Sequence, residues 1–278
     1  MPELPEVETV KRTLNELIPG KTIARVEIRW PAIIRRPADP TAFADLLSGE
    51  TVDHVDRRGK FLLFRFDHVV MVSHLRMEGR YRLDPEEAPD DRYTHVIFHF
   101  TDQTALRYRD VRKFGTMHLF LPGEEETQLP LSKLGPEPLS DTFTARVLRQ
   151  ACLKTSRAIK PMLLDQQVVV GLGNIYVDEA LFRARIHPLT SAASLSAARC
   201  RLLYTAIRDT LSEAVALGGS SVRTFINSQG HMGLFQQKLQ VYGRQGEPCS
   251  VCGTAIEKIR VAGRGTHFCP RCQKRSRR

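Results

Sequence analysis

No stretch of the 278-residue sequence approaches the roughly 20 apolar residues needed to cross a bilayer. The N-terminal segment also lacks an apolar signal core, because Lys11, Arg12 and several acids interrupt it. No membrane role is expected, and the cytoplasm is the expected compartment. Cysteine is sparse, six residues in all, which in that compartment argues against a disulfide framework. Acidic residues fall short of basic ones: 31 Asp and Glu against 41 Lys and Arg leave a formal net charge of +10. That excess says nothing about fold but favours a polyanionic partner. It is concentrated at the end of the chain, where residues 244–278 hold nine Lys and Arg and two Asp and Glu.

Val7, Val10, Leu14, Leu17 and Ile18 recur at helical spacing and stop at Pro19-Gly20, predicting a helix over 3–18. Short strand patterns come next, at 22–29, 51–55, 61–66, 69–74, 79–83, 94–100 and 105–108. Such a run predicts an antiparallel sandwich or barrel with the first helix packed on it. The character changes at Leu134-Gly135-Pro136-Glu137-Pro138-Leu139, a stiff linker. Beyond it, 143–152, 160–166, 174–184 and 196–217 read as helices. Ser140 or Asp141 is the expected cap of the first, Pro161 suits the start of the second, and Ser196 caps the fourth. Gly218-Gly219 ends the last helix and opens a glycine-containing loop over 218–237, which at that length reads either as a functional loop or as plain disorder.

Cys249-x2-Cys252-x16-Cys269-x2-Cys272 is the spacing of four thiolates around one tetrahedral Zn²⁺. The set has no His and no spare position, so the metal is expected to be structural. A hairpin through Gly263-Arg264-Gly265 joins the two halves and puts Arg264 where phosphates can be reached. Cys152 and Cys200 stand apart, as small buried residues. Gly171-Leu172-Gly173-Asn174 opens a helix, which is either an anion site or a tight turn between helices. The start, Met1-Pro2-Glu3-Leu4-Pro5-Glu6, also has two readings. It is an ordinary first helical turn, or it is chemistry. With Met1 removed, Pro2 presents an amine titrating near ~8, against ~10.4 for lysine, with the Glu3 carboxylate beside it.

Pro2-Glu3-Leu4-Pro5-Glu6, Gly171-Leu172-Gly173-Asn174-Ile175-Tyr176 and Val241-Tyr242-Gly243-Arg244 before the cysteines together resemble the bacterial formamidopyrimidine-DNA glycosylases. Arg58-Gly59-Lys60-Phe61-Leu62, His74-Leu75-Arg76-Met77-Glu78-Gly79 and Tyr108-Arg109-Asp110-Val111-Arg112-Lys113-Phe114-Gly115 agree, in the same order and across the whole chain. The resemblance implies an α+β multidomain fold: an N-terminal helix plus antiparallel β-sandwich of eight strands, a helical helix–two-turn–helix domain, and a C-terminal zinc finger. The corresponding segments are 1–134, 135–240 with a lesion-recognition loop at 218–237, and 241–278. DNA is expected in a cleft between the domains.

The same resemblance implies a bifunctional DNA glycosylase and abasic-site lyase for 8-oxoguanine opposite cytosine and for formamidopyrimidines. The expected protein is a monomer acting on double-stranded nucleoid DNA, with one zinc as its only cofactor. Pro2 becomes the nucleophile and Glu3 the acid, while Glu6 orders the N-terminus. Lys60 and Arg264 join them through the phosphates beside the lesion. His74, Asn174 and Tyr242 match backbone contacts, and Lys160 is a further DNA contact. Met77, Arg112 and Phe114 match residues that enter the duplex where the base leaves. Glu78, the Ser220 carbonyl and the backbone of Val222, Arg223, Thr224 and Phe225 match base contacts. Two other readings are an endonuclease VIII-like enzyme for oxidised pyrimidines and a non-catalytic zinc-ribbon binder of damaged DNA. Two departures stand out. Arg185 occupies a position where many relatives carry glycine, and the tail 274–278 runs past the usual end.

Overall fold

The structure, a computed structural model, describes residues 2–220 and 233–275. These divide into two compact units, Met1–Lys133 with Gly218–Gly233, and Leu134–Leu217 with Leu234–Arg278. No helix among the described residues is long and apolar enough to cross a membrane.

The first unit opens with helix α1 (Leu4–Leu17), then β1 (Ile23–Ile28), β2 (Ile34–Arg36) and α2 (Pro40–Leu47). Seven more strands complete its sheets: β3 (Val52–Arg58), β4 (Phe61–Phe66), β5 (Val70–His74), β6 (Arg80–Pro85), β7 (Thr94–Phe100), β8 (Thr104–Arg109) and β9 (Thr116–Phe120). The sheets are ordered β1-β7-β8-β6 and β2-β9-β5-β4-β3. The expected eight-stranded antiparallel sandwich therefore becomes nine described strands, and the short β2 runs parallel to β9. One apolar core draws on both sheets and both helices. Val7, Val10 and Leu14 of α1 meet Phe43 and Leu47 of α2, Phe64 of β4, Phe98 of β7 and Leu106 of β8. Alternation explains this, since every second residue of a strand faces inward. The short α3 (Glu124–Thr127) comes after the last of these strands.

Four helices and strands of this unit escape the sequence reading: β2, α2, β9 and α3. For α2 the signal is present but short. Asp39 caps it, its carboxylate accepting from Thr41 N at 2.9 Å, and Pro40 occupies the first helical position.

The second unit holds α4 (Ala145–Leu153), α5 (Ile159–Leu163), α6 (Asn174–Arg183) and α7 (Ala197–Ala216), and the hairpin of β10 (Glu257–Val261) and β11 (Arg264–Phe268). Ser196 caps α7 as expected, accepting from Arg199 N. The cap of α4 is Thr144, not Ser140 or Asp141, with Oγ1 accepting from Val147 N at 3.2 Å. Pro161 is the third residue of α5, not its first. The turn between β10 and β11 is Ala262-Gly263, one residue earlier than expected, so Arg264 begins β11. Arg185 comes after α6 at φ 54, the left-handed conformation that glycine favours and arginine adopts at a cost of about 1 kcal/mol. Cys152 and Cys200 are both buried, at 1% exposure.

Tyr108 shows how tightly the first unit is packed. A Cβ at Gly115 would lie 1.7 Å from its hydroxyl, and one at Gly79 2.3 Å from it. Both loops thus converge on one buried oxygen. Gly115→Ala should destabilise the protein by about 1–3 kcal/mol in urea unfolding, as overpacking does. An unchanged midpoint would show that the ring has room to move.

Candidate functional site

Glu3 is the N-cap of α1, in extended backbone at φ −102 and ψ −172. Its carboxylate accepts from the Glu6 N–H, and Glu6 Oε2 accepts from the Glu3 N–H at 2.8 Å. This reciprocal pair is a capping box built from two acids, both favoured at the positive end of a helix. Glu6 Oε1 accepts from Ser220 N at 2.7 Å and from Ser220 Oγ at 3.3 Å. Gly219 makes that approach feasible, because a Cβ there would sit 2.7 Å from Glu6 Oε1. One carboxylate thus joins the N-terminal segment to the first residues after the last long helix. Pro2, Glu3, Glu6 and Ser220 are all buried.

Lys60 lies in the turn between β3 and β4 and is 6% exposed. That turn is fixed to α1. Arg57 Nε donates to Glu8 Oε2 at 2.9 Å, and Arg57 Nη1 donates to the Gly59 carbonyl at 2.9 Å. Burial raises the Glu8 carboxyl, but the Arg57 guanidinium and the Lys11 ammonium together outweigh it and the net shift is downward. His74 ends β5 opposite Phe61, its ring meeting the Phe61 ring edge-on at 4.5 Å. Its Nδ1 accepts from Arg76 N at 2.9 Å, which places the proton of the neutral ring on Nε2. Burial pushes the imidazole down to about 3, with the Arg76 and Lys60 charges adding to the effect. His74 is therefore a neutral imidazole with its N–H on Nε2.

Asp110 builds the loop after β8. It is fully buried; Oδ1 accepts from Arg112 N at 3.0 Å, and Oδ2 accepts from Phe114 N and Gly115 N, both at 2.9 Å. Lys113 is held at φ 58 within this loop. The result is a Phe114 ring 52% exposed, with the Arg112 guanidinium 4.7 Å from its centroid. Met77 and Glu78, half-buried, lie in the loop before β6, whose Gly79 packs on the same Tyr108 hydroxyl as Gly115.

In the second unit, Asn174 begins α6 after Gly171, which sits at φ 84. Gln166 pins the turn, its Oε1 accepting from Gly171 N at 3.0 Å and its Nε2 donating to the Leu172 carbonyl at 3.0 Å. Two buried carboxylates on α6 hold the C-terminal segments in place. Asp178 Oδ1 takes the Lys160 ammonium at 2.7 Å, and Oδ2 accepts from His267 N at 2.9 Å. Glu179 accepts from Gln240 N, Val241 N and Tyr242 N at 2.8–3.0 Å, and burial raises its carboxyl above the usual range. Asn174 Nδ2 and Lys160 Nζ both donate to the Gly265 carbonyl, at 2.9 and 3.3 Å. Lys160, expected as a DNA contact, is fully buried in this network, where it holds β11 on α6. Arg264, one residue earlier, is exposed.

The four cysteine sulfurs all lie within 4.8 Å of one another. Cys249 to Cys272 is 3.9 Å and Cys252 to Cys269 is 3.5 Å. Four thiolates at about 2.3 Å from one tetrahedral Zn²⁺ stand about 3.8 Å apart. The donor set therefore fits one structural zinc.

Three family models match the chain: the formamidopyrimidine-DNA glycosylase N-terminal domain over residues 1–117, its H2TH domain over 134–226, and the zinc finger found in FPG and IleRS over 246–275. The formamidopyrimidine-DNA glycosylase of Bacillus subtilis (strain 168) is 63% identical over 273 residues, covering 98% of this chain and 99% of the relative. The chain belongs to the formamidopyrimidine-DNA glycosylase family. The family's member from Halalkalibacterium halodurans is 59% identical over 274 residues, covering 99% of this chain and 100% of the relative. Among solved structures, Lactococcus lactis Fpg in complex with DNA containing an abasic site matches with a TM-score of 0.92 and 44% identity, covering 98% of this chain and 100% of that one. The same enzyme bound to DNA containing N7-benzyl-Fapy-dG matches with a TM-score of 0.92 and 44% identity, covering 99% and 100%. Members of the formamidopyrimidine-DNA glycosylase family are base-excision-repair glycosylases with abasic-site lyase activity.

Of the site residues expected from sequence, the first unit gathers Glu3 and Ser220 around Glu6, with Pro2 buried next to Glu3 in the chain, and sets Lys60 near His74. Val222, Arg223, Thr224 and Phe225 lie outside the described residues. Tyr108 and Asp110 lie in a stretch that carries the resemblance, but no role is legible there for either of them, nor for Asp178 and Glu179. Each is buried and acts through backbone groups or close packing, which no spacing rule detects.

The neutral His74 has a consequence for stability. Its folded value, about 3, lies below the unfolded value of about 6.5, so the unfolded chain binds the proton first as pH falls. Its contribution is complete above pH ~6.5 and declines toward pH ~3, at up to about 1.4 kcal/mol per unit. The difference in unfolding free energy between wild type and His74→Gln should therefore shrink as pH falls through this window. A difference independent of pH would contradict the neutral ring.

Proposed function

We propose that this chain removes oxidised purines, chiefly 8-oxoguanine opposite cytosine and formamidopyrimidines, and then cuts the strand at the resulting abasic site. The observation that carries this reading is the fixed N-terminus: Pro2 and Glu3 are placed by the two-acid capping box and by Glu6's hold on Ser220. With Met1 cleaved, the Pro2 nitrogen attacks C1′ and the base departs. Glu3 protonates O4′, the C1′–O4′ bond opens, and an iminium remains. That cation acidifies the C2′ hydrogen. Loss of the proton expels the 3′ phosphate, a second elimination expels the 5′ phosphate, and water releases Pro2.

Other residues bind rather than react. Lys60 and Arg264 hold phosphates beside the lesion, with His74, Asn174 and Tyr242 along the backbone. Arg112 donates to the cytosine left behind, while Phe114 and Met77 fill the space of the departed base, offsetting an unstacking cost of a few kcal/mol. The Ser220 carbonyl accepts the N7–H that 8-oxoguanine has and guanine lacks. Val222, Arg223, Thr224 and Phe225 supply backbone N–H groups to the base, and Glu78 lines its path. In this reading residues 1–134 do the chemistry, 135–240 grip the strand and read the base, and 241–278 add phosphate contacts. The zinc held by Cys249, Cys252, Cys269 and Cys272 only shapes the finger. The enzyme works as a monomer in the bacterial cytoplasm, on nucleoid DNA.

Two comparisons test the assignment. A duplex with 8-oxoguanine opposite cytosine should be cleaved in clear preference to one with thymine glycol; the reverse order would overturn the substrate. Glu3→Gln should lose base excision, by about a hundredfold or more, while still binding the lesion duplex. Excision at the normal rate would remove Glu3 from its role.

A further inference from the structure

The chain has one tryptophan, Trp30, and it takes no part in the proposed reaction. Its side chain is half-buried, and the Lys113 ammonium lies 3.8 Å from the ring centroid. Tryptophan is the best aromatic partner for such a cation, and at that separation the charge rests on the ring face. Lys113 stands between Arg112 and Phe114, the two residues of its loop proposed to act where the base leaves. The contact therefore ties that loop to a segment far earlier in the chain.

Both ends of the contact are referred to one buried residue, His95 of β7. Its carbonyl accepts from Arg29 N at 2.8 Å and from Trp30 N at 3.3 Å. Its Nε2 donates to the Asp110 carbonyl at 2.8 Å, and the same carbonyl accepts from Lys113 N at 3.3 Å. Pro31 restricts the backbone of Trp30 before it, and the fully buried Ile33 donates its N–H to the Trp30 carbonyl at 3.2 Å. Trp30 is thus fixed at its backbone. The loop needs such an anchor, because Lys113 is left-handed at φ 58, a conformation that is costly for any residue with a Cβ. The Asp110 carboxylate holds the backbone N–H groups of the loop, and the Trp30 ring holds its Lys113 side chain.

We propose that Trp30 is a positioning residue for recognition of the opposite base: through Lys113 it holds the loop so that the Arg112 guanidinium is aligned with the acceptor edge of cytosine. The proposal rests on the role given above to Arg112. Arg112 and Phe114 flank Lys113 and stack on each other, so a rotation at Lys113 displaces both. A guanidinium held in place before DNA arrives avoids an ordering cost on binding. Cytosine offers two adjacent acceptors, O2 and N3, to the fork of donors, whereas adenine offers N1 alone. Alignment of the fork therefore matters most when cytosine is opposite.

Equilibrium binding of the full-length, zinc-loaded protein to duplexes with a reduced abasic site opposite cytosine or opposite adenine tests this without requiring excision. The readout is the ratio of the two affinities within each variant, which cancels any uniform loss of phosphate attraction. Trp30→Ala and Lys113→Met should each lower the ratio about two- to fivefold, the worth of an exposed cation–π contact. The double variant should lower it no further than either alone, and Trp30→Phe, which keeps a ring, should restore part of it. Lys113→Met should also shift the fluorescence emission of the sole tryptophan in the DNA-free protein. The proposal is overturned if Trp30→Ala keeps the wild-type ratio, if the two losses multiply in the double variant, or if the emission does not change. A wild-type protein that binds both duplexes alike would overturn the role of Arg112, and the positioning role of Trp30 with it.

Discussion

A single buried carboxylate sets the geometry on which the chemistry rests. Glu6 has two oxygens and uses both: one accepts from Glu3, the other from Ser220. The first contact fixes where the N-terminal residues lie. The second fixes the start of the segment proposed to read the base. Burial at 2% exposure strengthens both, because water offers little competition there. A nucleophile on a chain terminus is otherwise the least ordered group in a protein. Here the capping box removes that freedom before any substrate arrives, which is the condition for an effective attack geometry.

The same device recurs wherever a loop must be held in a shape its own residues do not prefer. Asp110 gathers three N–H groups and so presents Phe114 to solvent. Glu179 gathers three more and orders the stretch through Tyr242. Asp178 couples α6 to β11 through Lys160 and His267. Buried carboxylates cost a great deal unless they are satisfied, and each of these is satisfied by directed donors. The apolar cores supply the bulk of the stability, whereas these carboxylates determine where the functional loops point.

Much of this is legible in the sequence, for identifiable reasons. Helical spacing from Val7 to Leu14 predicts α1, and the cysteine spacing predicts the metal cluster, since both patterns are local and periodic. The hairpin from Phe61 to His74 is legible for the same reason. β2, of three residues, is not, because it gains its meaning only by pairing with β9, some eighty residues later. The burial of Lys160 is not legible because a lysine is ordinarily a surface charge, and the Asp178 carboxylate on the next helix, with the Gly265 carbonyl, makes that burial tolerable. The cap of α4 falls on Thr144 because several capping residues compete there and the backbone selects among them. Arg185 is legible as a departure, and its left-handed backbone is what the helix end demands of whichever residue stands there.

The central claim is that the amine of Pro2 becomes bonded to a sugar carbon of damaged DNA. The most direct measurement is borohydride reduction during turnover on an 8-oxoguanine duplex, then mass spectrometry of the cross-linked peptide. A reduced adduct on an N-terminal peptide that begins at Pro2 is the predicted result. An adduct mapped to Lys60 or another lysine, or full activity from molecules that retain Met1, would contradict it.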